Sequence, residues 1–138
     1  MTSLNPTHSQ TDPARMLRLA LNANAIFSAA SGAVLLGWPA AIAGLIGLSV
    51  SWPVIGVGLG LFAYAASLAL AARQDRVSPS FAWAAVLADT FWVAASALAI
   101  AAYSGAIPAI GEWLIALVAV IVFDFALWQY FGVRKLKD

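Results

Sequence analysis

From Leu19 to Ala72 the chain runs for fifty-four residues without one Asp, Glu, Lys, Arg or His. A helix needs about 20 apolar residues to cross the hydrocarbon core of a bilayer, so this one run can hold two crossings. No buried helix of a water-soluble domain requires so much. The remainder of the chain agrees: 63% of it is apolar and 9% charged, where a soluble domain carries about 25% charged residues. The reading is an all-α polytopic membrane protein whose first partner is the lipid bilayer. A net charge of +1 with no basic face argues against nucleic acid as a partner. The absence of cysteine excludes disulfides, thiolate metal sites and iron–sulfur chemistry.

Apolar runs bounded by charge or turn signals place four spans, at about Leu17 to Gly37, Pro53 to Ala72, Phe81 to Tyr103 and Glu112 to Phe131. The runs are continuous and rich in Ala and Leu, unlike the short alternating segments of a β-barrel, so a four-helix transmembrane bundle is expected over residues 15–138, preceded by a polar tail over 1–14. Pro53, Pro79 and Pro108 stand at or before first helical turns, where the missing N–H is no loss. Between Trp38 and Trp52, the apolar stretch Pro39 to Gly47 suits a short helix at the interface or a hydrophobic loop packed on the bundle.

All seven basic residues fall in three places: Arg15 and Arg18 before span one, Arg73 and Arg76 between spans two and three, and Arg134, Lys135 and Lys137 after span four. By the positive-inside rule these are the cytoplasmic ends, which puts both termini in the cytoplasm and the protein in a plasma or inner membrane. Trp38, Trp52, Tyr103 and Trp113 fall at the opposite boundary and Trp83, Trp128 and Tyr130 at the basic one, the pattern of two interfacial belts.

Spans one and three read alike at an offset of 65, which sets Asn24 against Asp89, Phe27 against Trp92 and Ser31 against Ser96. Spans two and four match less closely at an offset of 61. Two tandem helical hairpins in parallel repeat are the expected arrangement. The segments Arg18-x-x-x-Asn22, Asn24-Ala25-x-Phe27-Ser28-x-x-Ser31-Gly32, Asp89-x-x-Trp92-Val93-x-x-Ser96 and Gln129-Tyr130-x-Gly132 together resemble a group of small four-span bacterial integral membrane proteins. That resemblance implies the topology and assigns neither activity nor site residues.

An ionisable residue at mid-span costs about 2.5 to 3.5 kcal/mol on insertion scales and marks a site by default. Two qualify, Asp89 and Asp124. At about 1.5 Å per residue both lie roughly 10 to 12 Å from the basic end of their spans, with Asn24 and Tyr64 at roughly 9 and 13 Å, so each helix can supply one polar group to a shared layer. Asp89, Asp124, Asn24, Tyr64 and Thr90 are the candidate binding residues. Without a basic residue at that depth, the carboxyls must be protonated, hydrogen-bonded or matched by a cation. Ser28, Ser31 and Ser96, with the Gly56-x-x-x-Gly60 pair of span two, are the candidate helix-packing residues, and the glycine pair also suits a second copy or another membrane protein as partner.

Two functions fit. The one that asks least of the sequence is a non-catalytic accessory or scaffold protein whose polar groups are interhelical glue. The other is a proton- or cation-linked carrier or binding protein with an Asp89/Asp124 pocket open to the cytoplasm. The spans contain no His, Lys or Cys, so no enzymatic chemistry, metal or cofactor is expected.

Overall fold

The computed structural model describes residues 12–137. Five helices follow in order: α1 (Pro13–Gly37), α2 (Pro39–Leu45), α3 (Trp52–Arg73), α4 (Pro79–Tyr103) and α5 (Ala109–Lys135). Four of them are long and apolar enough to cross a bilayer, and they form an all-α bundle. Proline and capping residues mark the starts. Asp12 accepts a hydrogen bond from the Ala14 amide (3.0 Å) ahead of Pro13 at the first turn, and Ser78 accepts from the Phe81 amide (3.4 Å) ahead of Pro79. Residues 12–14, expected in the polar tail, are therefore the cap and first turn of α1; the rest of that tail lies outside the described residues. The apolar Pro39 stretch is a short helix, α2. At 27 residues, α5 extends past both ends of the expected span.

Close helix pairings run in the order α3–α1–α5–α4, with α1 on α3 and α4 on α5 as the two hairpins. The edges of this row, α3 and α4, meet mainly through side chains near the basic end. There Leu17, Leu21, Leu68, Ala72, Ala82, Ala85 and Val133 form the buried apolar core. Arg18 ties the same end together. Its guanidinium donates to the carbonyls of Ala72 (2.7 Å), Gln74 (2.6 Å) and Asp75 (2.8 Å), which satisfies the free carbonyls at the end of α3 with a cation. Trp83 and Tyr130 pack edge to face at 5.6 Å beside Arg134 and Lys137. Trp38, Trp52, Tyr103 and Trp113 are all exposed at the far end.

The Gly56/Gly60 pair does not bring helices together within the chain. Both glycines are exposed, and a Cβ on either would meet nothing within 4 Å. Gly58 makes the close approach instead: α1 and α3 come so near that a Cβ on Gly32 would lie 3.0 Å from the Gly58 carbonyl oxygen. Two residues along a helix is about 200° of rotation, so packing through Gly58 turns Gly56 and Gly60 outward. At the far end, a Cβ on Gly111 would run into the Leu45 carbonyl, where α2 docks on the start of α5. Gly111→Ala should therefore lose about 1 to 3 kcal/mol of stability through overpacking. Gly60→Ala should not lower the melting temperature in detergent micelles, and a comparison of the two melting curves checks the assignment.

Candidate functional site

Halfway along the bundle, the Asp89 carboxylate of α4 is buried at 3% exposure and accepts three hydrogen bonds. Asn24 Nδ2 of α1 donates to Oδ2 at 2.7 Å, Tyr64 Oη of α3 to Oδ1 at 2.9 Å, and Gln129 Nε2 of α5 to Oδ2 at 3.1 Å. Each donor comes from a different helix. Ser28, one turn along α1, donates to Asn24 Oδ1 at 3.2 Å and extends the network. The Tyr64 hydroxyl also lies 3.3 Å from the Ala85 carbonyl, so this one side chain bridges the open edge between α3 and α4.

The expected layer of one polar group per helix is present, with one member exchanged. Asn24, Tyr64 and Asp89 converge, and α5 contributes Gln129 in place of Asp124, which is exposed on the opposite side of its helix. Gln129 is five residues beyond Asp124, about 140° around the helix, so α5 cannot present both inward. Thr90 is exposed, with its hydroxyl donating to the Val86 carbonyl of its own helix at 2.7 Å. Ser96 is buried and bonded to the Trp92 carbonyl at 2.8 Å. Of the serines expected at packing contacts, Ser28 belongs to the polar network and Ser31 lines a cavity beside it.

That cavity has a volume of about 280 Å³. Asn24, Ser28, Tyr64 and Asp89 form its polar floor, while Phe27, Val57, Leu61, Trp92, Val118 and Val122 supply apolar walls. The wall residues all lie on the side of the polar layer away from the basic end, which the apolar core fills. The space therefore lies on the side of Asp89 away from the basic end, with exposed Val57, Gly60 and Ala88 at the α3/α4 edge.

The network has acceptor capacity to spare. A carboxylate offers about four lone-pair positions and three are used here. Gln129 is fully buried, and with its Nε2 turned to Asp89 its Oε1 has no partner. What the site can add is a donor: an ammonium, a hydroxyl, a water or a cation coordinated by oxygen. Among the described residues no group of three or more His, Cys, Asp or Glu side chains is placed to hold a metal ion.

Gln129 was visible in the sequence as part of Gln129-Tyr130-x-Gly132. The helical face it shares with Val122, Ala126 and Gly132 is the buried face of α5, and Gly132 against the Leu17 backbone is the small residue that marks it. Replacing Asp89 by Leu should leave the Asn24 and Gln129 donors unmet, at about 1 to 3 kcal/mol each. Asp89→Asn should be milder, since its carbonyl still accepts and Tyr64 can turn to Ala85. Thermal unfolding of the two variants against wild type checks that order, and equal stability of the Leu variant would show that the network does not hold the bundle.

The chain matches no protein family, no curated protein and no solved structure.

Proposed function

We propose that this multi-pass membrane protein is a non-catalytic binding protein for a small amphiphile, whose cationic or hydrogen-bond-donating end meets Asp89 and whose apolar part fills the cavity. The observation that carries this reading is the joining of an apolar-walled cavity to a buried carboxylate with a spare acceptor position. A packing network alone needs no adjoining cavity. At about 280 Å³ the space lies just below the range of about 300 to 1,000 Å³ for drug-sized ligands, so the ligand is small, of roughly eight to ten non-hydrogen atoms by comparison with about 30 Å³ per water. The accessory or scaffold function expected from the sequence is the second reading. It is favoured by a separate observation, the unpaired Asp124 on the outer surface.

Purified protein should be stabilised against heat by n-octylammonium, less by 1-octanol and not by octanoate, which brings a second anion to the site. A charge-assisted hydrogen bond contributes about 1.5 to 3 kcal/mol, so Asp89→Asn should weaken octylammonium binding roughly 10- to 100-fold. Gly60→Phe, which leaves the polar network untouched, should block the cavity mouth and abolish the stabilisation. Equal octylammonium binding by wild type and both variants would place the amine in the detergent instead of the cavity and sink the proposal.

The clustering of the basic residues at one end supports a reading in which both termini and the Gln74 to Ser78 connection are cytoplasmic and the membrane is a bacterial inner membrane. Single cysteines at Gln74 and Ser104 test the orientation. An impermeant maleimide added to intact spheroplasts should label Ser104→Cys and leave Gln74→Cys unlabelled until the membrane is opened. The reverse pattern would invert the topology.

A further inference from the structure

The outward face of α5 carries a seam that the fold of one chain does not use. Trp113, Leu117, Val120, Asp124, Leu127 and Phe131 follow one another at alternating steps of four and three residues, and all are exposed. That is the a/d spacing of a helix that pairs with another along a left-handed seam. It lies opposite the buried face formed by Gly111, Val122, Ala126, Gln129, Gly132 and Val133, so packing within the chain leaves it free.

In the middle of the seam stands a carboxyl. Asp124 lies roughly 16 Å from Lys135 and roughly 22 Å from Ala109 along the helix, far too deep for its short side chain to reach either surface. Among the described residues none gives its carboxyl a hydrogen bond or an ion pair, and it is exposed. A lone carboxyl facing hydrocarbon is costly enough to require a partner at the same depth.

We propose that α5 is a homodimer interface in which Asp124 of one copy hydrogen-bonds Asp124 of the second. Copies of one chain insert with one topology, so a twofold axis along the membrane normal lays α5 parallel to its mate and opposes residues of equal depth. A carboxyl is complementary to itself in that position. When one of the two carries a proton, a single O–H···O bond supplies the donor that the other lacks, and neither copy needs a basic residue that the chain does not offer at this depth. The flanking Val120, Leu127 and Phe131 interdigitate, and the single polar position fixes register and number of strands, as polar residues do within apolar seams. The seam spans roughly 27 Å of helix. The exposed Gly56/Gly60 surface lies on α3 and takes no part in this interface.

The chain has no native cysteine, so single cysteines report cleanly. In native membranes under oxidising conditions, Leu117→Cys and Leu127→Cys should form disulfide-linked dimers, whereas Leu98→Cys, more exposed than either but on α4, should not. Energy transfer between labelled copies in lipid bilayers gives the affinity. Hydrogen bonds between membrane helices contribute about 0.6 to 1.7 kcal/mol, so Asp124→Leu should weaken the dimer roughly 3- to 18-fold. Asp124→Asn, whose amide both donates and accepts, should stay within about threefold of wild type. A monomeric wild-type chain, cross-linking at Leu98 instead of the seam, or an Asp124→Leu variant that dimerises as tightly as wild type would each overturn the proposal. Asp124 does not touch the Asp89 cavity, so octylammonium binding by the Asp124 variants reports separately on the proposed ligand site.

Discussion

An anion inside a membrane has to be met by donors, and Asp89 is met by three, one from each of the other long helices. This convergence fixes how the helices are rotated. Interhelical apolar contact has little preference for one rotation in lipid, because a leucine against lipid and a leucine against leucine differ little in free energy. A buried carboxylate differs sharply between satisfied and unsatisfied, so α1 must turn Asn24 inward, α3 Tyr64 and α5 Gln129. The α3/α4 edge depends on this most, since Tyr64 is the side chain that bridges it at the level of the polar layer.

The polar layer also divides the bundle. On the basic side, large aliphatic side chains and alanines fill the space between the helices, and Arg18 holds the end of α3. On the other side the same four helices leave a cavity. Side-chain size accounts for part of this: serine at 28 and 31 on α1 and glycine at 60 on the exposed α3/α4 edge leave volume open, whereas Leu17, Leu21 and Leu68 fill the space nearer the basic end. An acidic group at the floor of an apolar cavity, with an orphaned acceptor beside it on Gln129, makes this layer a chemical feature as well as a structural one.

The relation between the two hairpins has a structural counterpart. Asn24 and Asp89, paired across the repeat at an offset of 65, hydrogen-bond each other directly. Tyr64 and Gln129, also separated by 65, bind the same carboxylate.

Much of the architecture was legible in the residues because it depends on local properties. Apolar length fixed the number of spans, prolines and caps marked where the helices begin, and the depths of Asn24, Tyr64 and Asp89 followed from counting 1.5 Å steps. What counting could not supply was azimuth. Asp124 and Gln129 lie within two turns of each other, as Gly56 and Gly58 lie within one, and in both cases the residue that faces inward was the one not singled out. In water, an apolar stripe on a polar helix announces its buried side. In a bilayer the outside of a helix is as apolar as the inside, so these sequences carry almost no such stripe, and the choice is left to close packing at Gly32, Gly58 and Gly132 and to the donors that Asp89 requires. Sequence alone thus determined how many helices cross the membrane and in what order; tertiary structure decided which face of each turns inward, because only there do backbone approach and hydrogen bonding distinguish one rotation from another.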